Sequence, residues 1–443
     1  MISNNTVFNS LDRSTSSTCK VIYPKNIEDL KNINNKHDII CQGAGLSYTA
    51  ASFDSNSLVI KMDNFNKIGE VNYKESYIEV ESGVKLLKLY NFLIVNGYRI
   101  RSLPGYYNIS IGGLIAGNTH GKNHYKNGCF YNSVISLNLF HPQKGIINCS
   151  KENNVELFNL TVGGFGLTGI ILNAKIKLAS LSKVSAISKT IYMSNLNDTI
   201  SSLYKLKDES ETIISWNNLS GSSKEFGEGA LMYSTPSSID NNALIQNPKL
   251  LNPHKEIYNL KLFNRVTIPI INKLFLYHIL YTPKIKQEPY YLSLFPWHNK
   301  LYYFKGYGKN GFIQHQVLIP HKNVEEYFLE FKYHWKQNYT PIFFTLFKLF
   351  KGGKKYLNFD GEGFSFAIDI INDRVGISFL NSLDQINIKY GCITNILKDS
   401  RLSKSIVQKQ FGDEYFSFRD ALINYDAKLT FKSNLSKRIG ITK

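Results

Sequence analysis

Three glycine-rich stretches constrain the fold of this chain more than any other feature of its sequence. They are CQGAGLSYTAAS at 41–52, PGYYNISIGGLIAGNTHGKN at 104–123 and TVGGFGLTGII at 161–171. Because glycine has no Cβ, a glycine-rich loop lets backbone N–H groups approach a phosphate or a flat ring closely. Each stretch alone would fit a tight turn between strands, but three such clusters are more than unrelated turns require. We therefore predict that the loops hold a large cofactor that carries phosphates.

The segments around these loops indicate short strands and helices in alternation. Apolar residues at every second position predict strands, and apolar residues three and four apart predict helices. In this half of the chain, strands are predicted at 37–43, 57–62, 77–84 and 132–140, and helices at 85–97 and 152–160. Residues 163–178 predict a glycine turn that leads into a long β-branched strand. This pattern is typical of an α+β or α/β domain.

The second half of the chain has a different texture. From about residue 184 glycine is rarer, and longer strands are predicted at 311–320 and 363–370, with a helix at 323–338. We therefore predict three parts, namely a cofactor-binding domain over 1–183, a substrate domain over 184–392 and a segment over 393–443 that returns to the first domain.

The net charge and the cysteine content limit the kinds of binding partner and the cellular compartment that this sequence suits. The net charge of +18 favours an anionic partner, such as a phosphate-bearing ligand, a nucleic acid or an anionic membrane. The five cysteines include no CxxC pair and no histidine at metal-ligand spacing, so we expect neither a disulfide framework nor a metal site. Residues 1–24 lack the apolar core of a signal peptide, and no apolar run is long enough to span a membrane. The sequence therefore predicts a cytoplasmic protein.

The first loop partly mimics a Rossmann dinucleotide fingerprint. Gly43 and Gly45 follow a predicted strand, and Asp63 lies twenty residues further on. However, Tyr48 occupies the position of the third glycine, and the residues after it form a polar loop where a Rossmann unit requires an amphipathic helix. The sequence therefore disfavours a Rossmann fold.

In order and spacing, these stretches resemble the flavin-binding domain of the vanillyl-alcohol-oxidase family of FAD-linked oxidases. The motifs are GAGLSYT at 43–49, HGKNH at 120–124 and GGFGLTG at 163–169, and LFKLF at 346–350 and LKDSR at 397–401 extend the likeness over nearly the whole chain. Within the family, the likeness is strongest to members that oxidise a polyprenyl-phosphoryl ribose. The resemblance implies an α+β fold, in which two small α/β subdomains of the PCMH type cradle FAD beside an antiparallel-sheet substrate domain.

The resemblance also assigns residues to the cofactor. The first loop would hold the FAD pyrophosphate, and the second stretch would wrap the rest of the molecule. The implied FAD-binding residues are Gly43, Ala44, Gly45, Leu46, Ser47, Tyr48, Gly105, Ser110, Ile111, Gly112, Gly113, Gly117, Asn118, Thr119, His120, Ile171 and Asn395. Many relatives carry a histidine joined to the flavin where this chain has Leu46, which implies that FAD is bound without a covalent bond.

Oxidising an alcohol with a flavin requires an acceptor for the hydroxyl proton and positive charge near the ring. The resemblance assigns the catalytic role to Lys398 and His120. The implied substrate-binding residues are Gln314, Gln316, Lys122, Lys348, Trp216 and Tyr48. Without the resemblance, these lysines would be surface charges, the histidine a packing residue and the QxQ pair an exposed strand face. The chain departs from its relatives at Ala367, which replaces a pocket cysteine, and at Asn395, which replaces a tyrosine.

The function that the resemblance implies is oxidation of the 2'-hydroxyl of a polyprenyl-phosphoryl-β-D-ribose to a ketone, with a separate NAD(P)-dependent reductase completing an epimerisation to arabinose. Two alternatives stay open. One is an aldonolactone oxidase, and the other is a basic nucleic-acid-binding or scaffold protein built on an inactive FAD fold. The number of glycines in the loops disfavours the scaffold, so no nucleic-acid partner is expected.

A basic, apolar segment at 257–286 bears on where such an enzyme would work. It alternates large apolar residues with lysine and arginine, a composition suited to a helix lying on an anionic membrane. It would equally suit a core helix pair or a lid with solvated lysines. The sequence therefore allows contact with the inner face of the membrane but does not select it.

Overall fold

The computed structural model describes residues 4–33, 37–181, 183, 185–220, 226–238, 244–246, 248, 250, 261–300 and 302–443. The domain boundary predicted at 184 and residues 257–260 of the predicted membrane segment lie outside these residues. Across the described ranges, no helix combines the length and the hydropathy needed to cross a bilayer.

The first part of the chain alternates short strands and helices as predicted. Its strands are β1 (Asn4–Asn9), β2 (Ser16–Ile22), β3 (Asp38–Gln42), β4 (Ser57–Lys61), β5 (Ile68–Asn72), β6 (Tyr77–Glu81), β7 (Tyr98–Arg99), β8 (Val134–His141), β9 (Gly145–Ser150), β10 (Ile170–Lys177) and β11 (Ala179–Ser180). Its helices are α1 (Ile27–Lys31), α2 (Leu86–Val95), α3 (Ile111–Ala116), α4 (His124–Asn127) and α5 (Val155–Thr161), with a 3-10 turn at Phe130–Ser133.

These strands form two main sheets. In the four-stranded sheet, of order β1-β2-β4-β3, strand β4 pairs parallel with β2 and β3, whereas β1 pairs antiparallel with β2. The five-stranded sheet, of order β5-β6-β10-β8-β9, is antiparallel throughout. The glycine turn predicted within 163–178 is present, since Gly163, Gly166 and Gly169 have positive φ, and it leads into β10, which begins at Ile170.

The second part of the chain builds one large antiparallel sheet. Its strands are β12 (Ser185–Met193), β13 (Thr212–Asn217), β14 (Gly229–Ser237), β15 (Ile285–Pro289), β16 (Phe312–Ile319), β17 (Thr345–Phe350), β18 (Gly363–Ile371) and β19 (Ile393–Thr394), in the order β15-β12-β14-β13-β17-β18-β16-β19. The helices are α6 (Leu196–Leu206), α7 (Thr267–Tyr281), α8 (Tyr290–Leu294), α9 (Tyr302–Lys305), α10 (Val324–Gln337) and α11 (Arg374–Lys389), with a 3-10 turn at His321–Asn323.

The two faces of this sheet bury different kinds of side chain. On β18, the alternate residues Phe366 and Ile368 pack under α10 and α11 in an apolar core. Ala367 and Asp369 lie on the opposite face, because side chains alternate along a strand. Every residue of β16 is buried, so Gln314 and Gln316 are enclosed within the protein. The exposed-face explanation of the QxQ pair is therefore wrong.

The end of the chain packs against the first sheet. It contains α12 (Lys404–Phe411), α13 (Asp413–Tyr425) and α14 (Asn434–Arg438). Phe418 and Leu435 share an apolar core with Val21 of β2. Backbone hydrogen bonds join Ile39 of β3 to the segment 430–432 at 3.0 Å in both directions. This path carries the chain from β19, in the large sheet, back to the first glycine loop.

Candidate active site

Three segments that are distant in sequence converge between the large sheet and the glycine loops. The ammonium nitrogen of Lys398, from the LKDSR turn, lies 3.9 Å from the centre of the Tyr48 ring in the first loop. Gln316 of β16 contacts His120 of the HGKNH motif, with 3.1 Å between the two side-chain nitrogens. The structure therefore brings together Lys398, His120, Tyr48 and Gln316 from the predicted site residues.

A chain of hydrogen bonds sets the orientation of His120. Asn395 Nδ2 donates to Gln316 Oε1 at 3.0 Å, which identifies the other end of the glutamine amide as its NH2 group. That group donates to Ser365 Oγ at 3.0 Å and to His120 Nε2. His120 Nε2 is therefore an acceptor, and the ring proton is on Nδ1. Burial, with Lys348 nearby, lowers the pKa of His120 well below its usual value, so the ring is neutral.

Two buried lysines in the same region have lowered pKa values. Burial, opposed in part by Asp369, lowers the pKa of Lys398 to about 8. Burial and the charge of Lys398 lower the pKa of Lys348 to about 7. An amine with a pKa near neutrality can hold or release a proton under ordinary conditions. This pair can therefore stabilise negative charge or exchange a proton.

Asp369 is a site residue that the sequence analysis missed. It lies opposite Gln314 in the β16–β18 register, and Gln314 Nε2 donates to its Oδ1 at 2.7 Å. Tyr303 OH donates to Asp369 Oδ2, and Tyr303 and Tyr307 share a hydrogen bond of 2.8 Å. Burial raises the pKa of Asp369 to about 7. The only signal in the sequence was a lone acidic residue within the apolar strand GFSFAIDI.

The remaining charged residues of the LKDSR motif hold the turn that carries Lys398. Asp399 accepts from His315 Nδ1 at 2.8 Å and from Arg401 at 2.9 Å, and Arg401 also pairs with Asp384 at 2.6 Å. Burial would raise the pKa of Asp399, but Arg401 and His315 hold it well below its usual value. This buried ion network positions the turn, so only Lys398 of the motif's charges faces the site.

A second missed cluster lies behind His120. The His124 ring stacks on Phe350 at 3.6 Å, and His124 Nε2 lies 3.0 Å from Asp360 Oδ1 and 3.4 Å from Cys129 Sγ. Phe350 in turn contacts the His120 ring edge-on at 4.9 Å. The cluster therefore supports the residues on which His120 packs. Its donor set could also accept a cation, although we predicted no metal site.

Two predicted substrate residues direct their polar groups to backbone carbonyls. Lys122 Nζ donates to the Ser293 carbonyl at 2.8 Å, and burial lowers its pKa to about 8. Trp216 Nε1 donates to the Phe343 carbonyl at 3.0 Å. Neither of these two hydrogen bonds is made to His120, Gln316 or Lys398.

The glycine loops pack closely against one another. A Cβ on Gly43 would lie 1.9 Å from Ser110 Oγ, and one on Gly112 would lie 3.0 Å from Ser82 Cβ. A Cβ on Gly121 would lie 1.8 Å from the Leu103 carbonyl oxygen. These glycines are thus required by contacts of the chain with itself, in addition to any approach to a cofactor. Gly105 differs, because a Cβ there would make only an ordinary 3.5 Å contact with Pro296.

The other predicted cofactor residues lie on the same loops. Ser110 caps α3, accepting from the Gly113 amide, and Ser47 Oγ accepts from the amides of Thr49 and Ala51. The remaining positions are Ala44, Gly45 with φ of 71° and Leu46 in the first loop, Ile111 in α3, Gly117 at its end, Asn118 with φ of 39°, and Ile171 in β10.

Buried oxygens on these loops test whether a polar cofactor fits here. Among the described residues, Thr49 Oγ1, Ser82 Oγ and Thr119 Oγ1 are buried and have no hydrogen-bond partner. A buried hydroxyl without a partner is costly, so natural proteins rarely leave one unpaired. Thr49 and Thr119 lie in the first two glycine stretches and Ser82 contacts Gly112, so the three oxygens fit a ligand that carries phosphates and hydroxyl groups.

Comparisons with known proteins identify that ligand. Residues 20–150 match the family model described as FAD binding domain. A decaprenylphosphoryl-beta-D-ribose oxidase from Mycolicibacterium smegmatis is 26% identical over 417 residues, which cover 90% of this chain and 89% of that protein. A D-arabinono-1,4-lactone oxidase from Kluyveromyces lactis is 26% identical over 31% of this chain and 27% of its own length. An L-gulonolactone oxidase from Mus musculus is 24% identical over 28% of each chain.

These matches confirm the resemblance to FAD-linked oxidases that the motifs indicated. The chain has a PCMH-type FAD-binding domain within an α+β fold, and it is an FAD-dependent oxidoreductase. The prediction of FAD as cofactor is confirmed, and the loops with unpaired buried oxygens fall largely within the matched residues.

Proposed function

We propose that this FAD-dependent oxidoreductase oxidises the 2'-hydroxyl of a polyprenyl-phosphoryl-β-D-ribose to the 2'-ketone. The observation that carries the proposal is the similarity to a decaprenylphosphoryl-beta-D-ribose oxidase over 90% of the chain, which spans both the loops and the large sheet. The lactone oxidases match less than 40% of the chain, so their similarity supports a lactone substrate less strongly.

The residues of the first two glycine stretches would hold FAD, which supplies hydride-accepting chemistry when bound. Thr49, Ser82 and Thr119 would donate their unpaired hydroxyl groups to its polar groups. Leu46 offers no atom that could bond to the flavin, so we propose that FAD is bound non-covalently. Asn118 and Ile171 would complete the enclosure of the ring.

Lys398 is the proposed proton acceptor. With a pKa of about 8, a substantial fraction of Lys398 is neutral near physiological pH and can take the hydroxyl proton at Nζ as the carbon loses hydride. The Tyr48 ring contacts this nitrogen and fixes its position. Lys348 in its charged form would stabilise negative charge that develops nearby. His120 would present its Nδ1 proton to the ligand, because Nε2 is bonded to Gln316.

The sugar would be held on the large sheet. Gln314 and Asp369 form a hydrogen-bonded pair on the face that Gln316 shares, and we propose that Lys122 and Trp216 also contribute to sugar binding. Gln316 already uses both amide protons on His120 and Ser365, so we propose that it orients His120 and offers only its oxygen to a sugar. The small Ala367 widens the pocket beside it.

The product of this reaction is a keto sugar, which needs a hydride donor to become an epimer of the substrate. We propose that a separate NAD(P)-dependent reductase supplies it, giving an arabinose configuration. We also propose that the enzyme works on the cytoplasmic side, at the inner face of a membrane that holds its lipid-linked substrate.

Anaerobic flavin reduction tests the proposed function. Farnesylphosphoryl ribose should bleach the visible flavin absorbance of the purified holoenzyme, and D-arabinono-1,4-lactone should leave it unchanged. If only the lactone bleaches the flavin, the enzyme is an aldonolactone oxidase and the proposal fails. Purified protein that contains no FAD would contradict the whole assignment.

A further inference from the structure

Helix α7 (Thr267–Tyr281) is apolar on both faces, although only one face is buried. Ile268, Asn272 and Leu276 face the protein. The opposite face has large side chains at spacings of three and four residues, and their exposed fractions are 73% for Val266, 57% for Ile270, 63% for Leu274, 48% for Tyr277 and 87% for Tyr281. A helix that is apolar all round is normally buried, and a continuous apolar stripe in water marks an interaction surface.

The buried face of α7 is fixed by specific polar contacts. Asn272 Nδ2 donates to Asn218 Oδ1 at 3.0 Å, to Ser220 Oγ at 2.7 Å and to the Ile342 carbonyl at 2.8 Å. At the start of the helix, Arg265 forms a bidentate pair with Asp373 at 2.7 and 2.8 Å. The orientation of α7 is therefore set by its anchors, and the apolar stripe faces outward as part of that arrangement.

The charged residues around the apolar stripe indicate which kind of partner it would bind. Residues 261–286 contain no aspartate or glutamate. Lys273 borders the stripe, and Lys261, Lys284 and Lys286 flank the helix, all exposed. Lysines around an apolar helix face complement anionic lipid headgroups, whereas a second copy of this surface would be repelled. The 15 residues of α7 span only about 22 Å, so the helix would lie in the plane of the interface.

We propose that α7 is the surface by which the protein docks on an anionic bilayer, with the stripe from Val266 to Tyr281 in the interface. This inference rests on the proposed function, since it gives a lipid-linked substrate a route to the site. Aromatic contacts connect α7 to the site, because the Phe275 ring of α7 lies 6.4 Å from the Phe343 ring, which stacks on Tyr303 at 5.7 Å. Tyr303 is the residue that donates to Asp369.

Vesicle co-sedimentation of the holoenzyme tests this surface. The probes are vesicles of phosphatidylcholine alone and of an equal mixture of phosphatidylglycerol and phosphatidylcholine. The test variant is Ile270→Asp with Leu274→Asp. The matched control is Leu329→Asp with Tyr333→Asp, an exposed apolar pair at the same spacing on α10, which are 72% and 60% exposed. FAD content is measured on each protein to verify folding.

We expect the wild type and the α10 variant to bind the anionic vesicles, and the α7 variant to bind at least about tenfold more weakly. Binding to phosphatidylcholine alone should be similarly weak, and salt should weaken the anionic binding. Equal binding by the α7 variant, or no binding by the wild type, would overturn the proposal. So would a wild-type dimer that the α7 substitutions convert to a monomer, because the stripe would then join two copies of the chain.

Flavin bleaching by farnesylphosphoryl ribose in vesicle-free buffer separates this inference from the proposed function. Bleaching without wild-type vesicle binding would overturn the docking surface and leave the function standing. Vesicle binding without bleaching would overturn the function and leave the docking surface standing.

Discussion

The two walls of the site are built in opposite ways. The loop wall, residues 43–52 and 104–123, contains glycine and short polar side chains, and some of its glycines, such as Gly43 and Gly121, lie too close to neighbouring chain to admit a Cβ. The sheet wall, formed by β16–β18 and the turn at 395–401, carries buried ionisable groups whose pKa values are displaced by burial. The loop wall thus depends on shape, whereas the sheet wall depends on charge.

The largest expected effect comes from adding a bulky side chain to the loop wall at a tightly packed glycine. In Gly112→Val, the new Cβ would lie 3.0 Å from Ser82 Cβ and 3.3 Å from its carbonyl oxygen. Such overpacking costs about 1–3 kcal/mol and displaces the start of α3. We expect purified protein to retain less than about a tenth of the wild-type FAD content, measured by its visible absorbance.

Gly105→Ala is the matched control for this loop wall. Its Cβ would make a 3.5 Å contact with Pro296, an ordinary van der Waals distance. The variant should keep wild-type FAD content. A normal flavin content in Gly112→Val would contradict the claim that shape governs this wall.

The next largest effect is expected from a substitution in the sheet wall that removes a charge and keeps the side-chain volume. Lys398→Met should lower the rate of flavin reduction by about 10²- to 10⁴-fold, because the proposed proton acceptor is lost. FAD content should stay near wild type. Lys409→Met removes an exposed lysine from α12 and should leave the rate unchanged. An unimpaired rate in Lys398→Met would show that proton removal occurs elsewhere.

The smallest expected effect is a pH dependence of the free energy of unfolding that comes from the buried Lys348 of the sheet wall. Burial lowers the pKa of Lys348 to about 7 in the folded protein, against 10.5 for a free lysine. Between these values the unfolded chain binds the proton that the folded chain has released, so rising pH stabilises the folded state. Relative to Lys348→Met, the wild type should therefore gain about 2 kcal/mol in free energy of unfolding between about pH 7 and pH 9.

Urea unfolding at both pH values measures this difference, with Lys409→Met as the exposed-lysine control. If the wild type and Lys348→Met change in parallel with pH, burial does not lower the pKa of Lys348, and the description of the sheet wall as a place of displaced pKa values fails.

The fold was predictable where local chemistry decides it. The strands at 311–320 and 363–370 and the helix at 323–338 correspond to β16, β18 and α10 within one or two residues at each end. The spacing of apolar residues in these segments clearly indicates the element type, and tertiary contacts did not change that element type. The glycine turn predicted before the strand within 163–178 is also present, because Gly163, Gly166 and Gly169 have positive φ and β10 starts at Ile170.

The site was predictable only in part. Motif likeness selected His120, Lys398, Gln314 and Gln316, which the structure brings into one region. Asp369 was missed because a single acid in an apolar strand has no local signature. Its significance comes from Gln314 across the strand pair and Tyr303 from another segment. Asp399 was not assigned a role, although His315 and Arg401 make it the anchor of the Lys398 turn.

By itself, the sequence determined the glycine loops, the cofactor class and the motif residues, because backbone freedom and residue type are local properties of the chain. Only the tertiary structure decided which of those residues face one another and which buried charges shift their pKa values. It also decided that α7 has one face anchored by Asn272 and the other exposed to solvent. Burial and electrostatics depend on segments that are hundreds of residues apart, and composition at a single position does not encode them.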